Sequence, residues 1–201
     1  MDEFEVEIKQ LIKPLSFKAK ALFAAITSER LYQNYVLFQE RTGWGNSLLL
    51  QDAIALIFQY IINNNLISVE EVEYFKTRID LITPDTEDFE GTLTSWALDA
   101  CTTLINTLNF FISKDDQEIF WVASTSLDTV DFFLYEKEQI DTLDESGKKQ
   151  AEHDEFMVRE KQRQRDLIAK LSKLDLTIIT DELIDSLRVA YPIIDLSLFT
   201  E

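Results

Sequence analysis

The 201-residue chain contains only one cysteine, one histidine, four glycines and three prolines. With Cys101 alone, no disulfide can form within the chain, and its place on an apolar helix face indicates a small buried hydrophobe. One histidine, His153, cannot supply a zinc site or the two Glu-x-x-His motifs of a ferritin-like di-iron site. No Ser-His-Asp or Cys-His arrangement is indicated. We therefore predict no catalytic residue of a recognisable type, no bound metal and no cofactor.

Basic residues are also scarce, with 19 Lys and Arg against 37 Asp and Glu and a formal net charge of −18. A phosphate-binding surface needs clustered cations, so the composition disfavours nucleic acid and anionic membranes as partners. The basic residues of 154–174 surround their predicted helix, and we interpret them as partners of neighbouring acidic helices. No Asp-x-Asp-x-Asp-Gly calcium loop is present among the many carboxylates. An acidic surface of this kind favours solubility or a basic protein partner.

No long uninterrupted apolar run is present. The closest, residues 93–112, is interrupted by Asp99, Asn106 and Asn109 and is too polar for a membrane span. The first residues, MDEFEVEIK, lack the apolar core of a signal peptide. We expect a cytoplasmic protein that does not associate with membranes.

The few glycines and prolines lie where a helical pattern breaks, which predicts long helices joined by short turns. Hydrophobic residues make up 46% of the chain, enough for the core of one domain. We predict a single all-α domain over 1–201, a bundle of about seven to eight helices with capping boxes at Ser68–Glu71 and Ser113–Asp116. The charge-dense segment 139–153 is expected to be a mobile loop. The predicted helices cover about 2–13, 16–42, 47–62, 69–81, 93–112, 116–136, 154–174 and 181–190.

The chain is organised around residues 15–46. Apolar residues at helical spacing share one face there, namely Leu15, Ala19, Leu22 and Ile26. Continuing that face brings Glu29 and Arg30 inward, while Leu31, Tyr35 and Phe38 point to the opposite side. Either the helix kinks or restarts between residues 28 and 33, or it runs unbroken between two packing layers. In both cases the charged doublet needs partners, because burying an unpaired ion costs several kcal/mol.

A candidate polar cluster follows from this pattern. Asp99 is the only charged residue of 93–112, a segment that we expect to be a central helix. We predict that Arg30 pairs with Asp99 or Glu29, with nearby tyrosines contributing hydroxyl groups. Two interpretations stay open, an internal salt bridge that fixes the packing register and a ligand pocket. The cluster comprises Glu29, Arg30, Tyr32, Asn34, Tyr35 and Asp99.

Two runs of sequence resemble a known family. SERLYQNYVLFQERTGWGN at 28–46 and DTEDFEGTLTSWALDACTTL at 85–104, with a weaker match at 155–171, resemble the YjaG-like family of bacterial proteins, or domain of unknown function 416. Relatives read ERxYPNY where this chain has Gln33 in place of the proline, which weakens the prediction of a kink. The resemblance implies an all-helical fold and no assigned activity, cofactor or catalytic residue.

These observations favour a non-enzymatic interaction or regulatory protein that acts through its acidic helical surface. One alternative is a small-molecule-binding or undescribed catalytic domain that uses Glu29, Arg30 and Asp99. Another is an immunity-type inhibitor of a basic partner. A homodimer is a further expectation, because exposed aromatic residues such as Trp44, Phe132 and Phe199 would mark a self-association surface.

Overall fold

A computed structural model of the chain describes residues 3–63, 65, 67–138, 140 and 145–199. Over this part the protein is all helical and has no strand, which confirms the predicted fold class. The described residues form nine α-helices, one more than the upper end of the prediction. In chain order they are α1 (Glu3–Ile12), α2 (Phe17–Thr42), α3 (Ser47–Asn63), α4 (Val69–Asp80), α5 (Thr92–Ser113), α6 (Asp116–Glu138), α7 (Glu145–His153), α8 (Glu155–Leu171) and α9 (Asp181–Leu187), with a 3₁₀ turn at Leu196–Phe199.

Helix α5 lies at the centre, as its almost uncharged sequence predicts. It packs most extensively against α2 and α6, and it also contacts α3 and α4. Its small polar face is covered: Thr107 is fully buried, and its hydroxyl is 2.9 Å from that of Ser28 on α2. Cys101 is buried on the same helix, as expected. Among the described helices, α5 included, none has the length and apolar character needed to cross a membrane.

Most helix starts follow their local sequences, whereas α8 and α9 end three residues before the predicted positions, at Leu171 and Leu187. The Ser16 hydroxyl accepts from the Ala19 amide at the start of α2, and the predicted capping box of Ser68 with Glu71 is present at the start of α4. The predicted box of Ser113 with Asp116 is wrong. Ser113 is still the last residue of α5, and the Asp115 carboxylate instead accepts from the Gln117 amide before α6.

The segment predicted as a mobile loop contains the ninth helix. Residues 145–153 form α7, and the remainder of the predicted loop, apart from the buried Ile140, lies outside the described residues. Gly147 and Ala151, four positions apart, are buried on one face of α7, which packs against α8. The prediction failed because a face made of two small residues carries almost no hydrophobic signal.

The chain end returns to the core. Ile193 and Ile194 are buried after α9, and the Phe199 ring lies 4.9 Å from the Trp96 ring. Trp44 packs against Phe89 at 5.1 Å, so neither Trp44 nor Phe199 is the exposed aromatic residue that we expected. Phe132 is exposed, as expected.

Candidate functional site

The structure buries Arg30 but gives it a partner that we did not predict. Helix α2 runs unbroken past the doublet, so the restart alternative is wrong. Arg30 Nη1 donates to Glu160 Oε2 of α8 at 2.6 Å, and the two side chains are 9% and 1% exposed. The predicted pairing of Arg30 with Asp99 or Glu29 is therefore wrong, because α8 supplies the buried carboxylate.

The Glu160 carboxylate also accepts hydrogen bonds from a second arginine and from neutral side chains. Arg163, one turn further along α8, donates through Nε at 3.0 Å and through Nη2 at 2.6 Å. Ser126 of α6 lies 3.1 Å from Glu160 Oε1, and Gln164 Nε2 donates to the Ser126 hydroxyl at 2.8 Å. We call Arg30, Glu160, Arg163, Ser126 and Gln164 the Glu160 network. It joins α2, α6 and α8 through one carboxylate.

The electrostatics of this network favour an ionised Glu160. Burial alone would raise the pKa of Glu160, but the guanidinium groups of Arg163 and Arg30 outweigh it and hold the pKa at about 2. Burial lowers the pKa of Arg30, and Glu160 opposes that shift. Two cations share one carboxylate, and no described residue offers a hydrogen-bond acceptor to the buried Arg30 Nε, Arg30 Nη2 and Arg163 Nη1. The network therefore retains an uncompensated positive charge.

Glu29 lies beside this network and makes a separate pair. Its side chain is 31% exposed, and its two oxygens accept from Arg188 Nε and Nη2, both at 2.6 Å. Arg188 follows α9 directly and also pairs with Asp185. The pair ties the end of α9 to the middle of α2, and Glu29 takes no part in a pocket with Arg30.

The other members of the predicted cluster on α2 have structural contacts. Tyr32 is partly buried against the core. Asn34 is buried, and neither its Oδ1 nor its Nδ2 has a hydrogen-bond partner among the described residues. The Tyr35 hydroxyl donates to the Ile82 carbonyl at 2.7 Å and accepts from the Asn46 amide at 3.3 Å, and burial raises the pKa of Tyr35 to about 12. Tyr35 thus links α2 to the corner after it, and the hydrogen bond that Asp99 accepts comes from Thr129 instead.

Gly45 shows how tightly that corner is packed. Its φ is +99°, and a Cβ atom there would lie 2.3 Å from the Tyr35 hydroxyl oxygen. Any side chain would displace the hydroxyl from the Ile82 carbonyl. The two glycines of the Gly-x-Gly sequence at 43–45 thus have structural roles. Gly43 ends α2 in the left-handed conformation, and Gly45 lets the backbone pass close to the Tyr35 hydroxyl.

Asp99 is buried on α5, far along the chain from Glu160, and its hydrogen-bond partner is a neutral side chain. Its Oδ2 accepts from the Thr129 hydroxyl of α6 at 2.7 Å. Burial raises the pKa of Asp99 to about 7, and the Thr129 hydrogen bond opposes the shift only in part. Asp99 was correctly predicted to be a buried polar residue, but it belongs to a different place from Arg30.

That place is an open cavity of about 830 Å³ between α5, α6 and the connection before α5. Asp99, Asp128 and Asp131 line it together with aromatic rings, and none of the described residues in its lining is Lys or Arg. Burial, with Asp131 and Glu5 nearby, raises the pKa of Asp128 to about 6. We call this cavity the acidic groove; it is lined by Thr86, Phe89, Gly91, Thr92, Ser95, Asp99, Asp128, Asp131, Phe132 and Tyr135.

Sequence reasoning missed most of the groove and most of the Glu160 network, although both leave a helical signal. Asp128, Asp131, Phe132 and Tyr135 recur at the spacing of one face of α6. Glu160 and Arg163 lie between apolar residues at the same spacing on α8, which places charge on a buried face. Among the residues that the structure describes, no group of three or more His, Cys, Asp or Glu side chains is arranged to hold a metal ion.

Comparison with known proteins agrees with the resemblance. The family described as "Protein of unknown function (DUF416)" matches residues 7–194. Among solved structures, the chain is similar to the crystal structure of a DUF416 family protein from Shewanella baltica OS155, with a TM-score of 0.78 and 26% sequence identity. The similarity covers 93% of this chain and 91% of that one. A comparison with curated proteins found no match.

Proposed function

The chain belongs to the DUF416 family of proteins of unknown function, and we propose that it is a non-enzymatic interaction protein of the cytoplasm. In this proposal the acidic groove binds a basic segment of a partner protein by taking a lysine or arginine side chain. The observation that carries the proposal is the composition of the groove, which joins three carboxylates with exposed aromatic rings and has no Lys or Arg among the described residues that line it.

The groove matches both parts of a long cationic side chain. Phe132 is 44% exposed, so its ring is available to the aliphatic stem and to a cation–π contact with the charged end, and Tyr135, which is 52% exposed, lines the same groove. Asp99 and Asp128 supply the opposite charge at the groove wall. Such a contact stabilises an ammonium or guanidinium group and offers nothing to an anion.

The charge of the whole chain supports the same partner. With a net charge of −18, the protein attracts basic proteins at long range and repels acidic ones. Long-range attraction raises association rates without selecting a site. Selection would come from the groove, where carboxylates and rings lie together.

The raised carboxyl pKa values give this proposal a pH dependence. A carboxyl group binds a cation only when it is ionised, and the pKa is about 7 for Asp99 and about 6 for Asp128. We therefore expect binding to strengthen as the pH rises from 5.5 to 8 and to release protons. A surface of ordinary carboxylates, ionised throughout that range, would give almost no change.

The direct test is the binding of a fluorescein-labelled ten-residue lysine-rich peptide, followed by fluorescence anisotropy at low salt. The double variant Asp128→Asn/Asp131→Asn removes two groove charges, and we expect it to weaken binding about tenfold, as for roughly 1.4 kcal/mol. The matched control Asp52→Asn/Glu40→Gln makes the same change in net charge on the exposed faces of α3 and α2. Equal losses in the two double variants would contradict the proposal.

A small-molecule ligand is the second candidate, and the volume of the groove favours it. A cavity of about 830 Å³ lies within the range of small-molecule sites, roughly 300–1,000 Å³. The same carboxylates and rings would bind a free alkylamine. Titration with spermidine beside the peptide separates the two, because a small-molecule site would bind spermidine more tightly than the lysine-rich peptide.

A further inference from the structure

A second, smaller cleft lies next to the Glu160 network. It has a volume of about 70 Å³ and is bounded by α2, α8 and the chain from the end of α9 onward. Its charged and polar lining consists of Arg163, Asp166, Lys170 and Tyr191, and Val189 is among its apolar residues. We call it the Tyr191 cleft. It shares no residue with the acidic groove.

The surroundings of the Tyr191 cleft are positive in an otherwise acidic protein. Arg30 and Arg159 lie over the Tyr191 ring, with their Cζ atoms 5.8 and 4.9 Å from its centroid. Arg163 and Lys170 line the cleft itself. Against these four cations stand Glu160, which Arg30 and Arg163 share, and Asp166, which is exposed and accepts from Gln162 Nε2, whereas the nearby Glu29 is paired with Arg188.

Arg163, which lines this cleft, has a strong donor without an acceptor among the described residues. Its side chain is 3% exposed, and this donor is the buried Nη1. A guanidinium that lacks part of its hydrogen bonding and faces an excess of positive charge is costly to bury. A water molecule would satisfy the N–H group but would leave the charge uncompensated.

We propose that the Tyr191 cleft binds a small monovalent anion, such as chloride, between Arg163 and Lys170. At about 70 Å³ the cleft offers space for a few water molecules, which suits a small ion. The anion would accept from Arg163 Nη1 and balance the excess charge of the network. Because the protein as a whole is strongly acidic, the affinity is expected in the millimolar range.

The test is thermal unfolding at constant ionic strength, with sodium chloride or bromide replacing sodium gluconate, whose anion is much larger than a halide. A bound halide stabilises the folded state by mass action, so we expect the Tm to rise saturably by about 3 °C. Constant ionic strength keeps general screening unchanged. An identical Tm in all three salts would overturn the proposal.

Two pairs of variants locate the effect. Val189→Phe is expected to fill the cleft and abolish the halide response, whereas Val158→Phe, on the exposed face of α8, should retain it. Lys170→Gln should raise the apparent halide Kd roughly threefold to fivefold, and Lys173→Gln, an exposed lysine outside the cleft, should leave it unchanged. Equal behaviour within both pairs would place the halide elsewhere and refute the site.

A direct readout does not depend on how well the variants fold. Crystals of the unmodified protein grown with sodium bromide should give an anomalous difference peak within hydrogen-bonding distance of Arg163 Nη1. Ordered water with no anomalous signal at that position would overturn the proposal. This outcome is independent of the acidic groove, so it leaves the proposed function untouched.

Discussion

Two carboxylates are buried in the part of the chain that the structure describes, and their surroundings have opposite effects on them. Glu160 lies between two guanidinium groups, which hold its pKa at about 2. Asp99 accepts a hydrogen bond from the Thr129 hydroxyl, and burial raises its pKa to about 7. Burial penalises both ions. The number of cations in contact therefore decides whether a buried carboxylate contributes to stability or opposes it.

The contributions of Glu160 and Asp99 to folding stability must also change with pH in opposite directions. The folded-state pKa of Glu160 is lowered, so its contribution to stability is present above pH 4.5 and is lost as the pH falls toward 2. The folded-state pKa of Asp99 is raised, so stability falls as the pH rises from about 4 to 7 and is constant above 7. The Glu160 network fixes the fold, whereas the acidic groove holds a charge that a cationic ligand would stabilise.

The largest expected effect on stability comes from removing the charge at the centre of the Glu160 network. Glu160→Gln leaves two buried guanidinium groups without a counter-charge and should destabilise the fold by about 3–5 kcal/mol at pH 7. Chemical denaturation measures the loss, which should shrink as the pH approaches 3. Glu73→Gln is the matched control, since Glu73 also pairs with a cation, Lys76, but the two side chains are 55% and 24% exposed, so the change should cost under about 1 kcal/mol. Similar losses of stability in Glu160→Gln and Glu73→Gln would contradict the prediction.

Removing the charge of Asp99 in the acidic groove should have the opposite effect on folding stability. Asp99→Asn keeps an oxygen to accept from Thr129 and removes the charge, so it should stabilise the protein by roughly 2–4 kcal/mol at pH 8 and by almost nothing at pH 4. Denaturation curves at the two pH values check this. The control Asp52→Asn, at an exposed site on α3, should show no such difference. A destabilised Asp99→Asn at pH 8 would indicate that the carboxylate has a cation partner.

Two serine hydroxyl groups, one in the Glu160 network and one in the acidic groove, extend the comparison of the two sites to smaller effects on stability. Ser126 is fully buried and joins Glu160 to Gln164, so Ser126→Ala should cost about 1–2 kcal/mol. Ser95→Ala in the groove wall removes the same atom from an open site and should change stability by less than about 0.5 kcal/mol. Denaturant midpoints of the two variants provide the measurement. A loss at Ser95 as large as that at Ser126 would show the groove to be closed in solution.

The smallest effect tests whether Thr129 moderates the pKa of Asp99. Thr129→Val keeps the shape and removes the hydroxyl, so the pKa of Asp99 should rise further, by about one unit. A carbon-13 NMR titration of the carboxyl group gives the value. Thr125→Val, at another buried threonine of α6, is the control and should leave the titration unchanged. An unchanged titration in Thr129→Val would mean that burial alone sets the pKa.

Much of the fold could be predicted because helix formation is governed by local spacing. Eight of the nine described helices follow from apolar periodicity and from residues such as Ser16 and Ser68 that cap their starts. The exception, α7, buries Gly147 and Ala151, which give no apolar stripe. The interior position of Arg30 could also be predicted, since it follows from the change of face within α2.

The partner of Arg30 could not be predicted in the same way. Glu160 is 130 residues further along the chain, and only the packing of α8 beside α2 brings the two together. The apparent candidates, Glu29 and Asp99, bind Arg188 and Thr129 instead. Polar pairing between helices depends on the rotation and height of each helix, and periodicity along one helix does not encode these.

The sequence by itself determined the helices, most of their ends and the presence of charge on faces that had to be buried, because these depend on residues within a few turns of one another. The tertiary structure alone decided that one buried carboxylate has two arginines while the other lines an open groove. The energy of a buried ion depends on which groups surround it in space, and those groups come from distant parts of the chain.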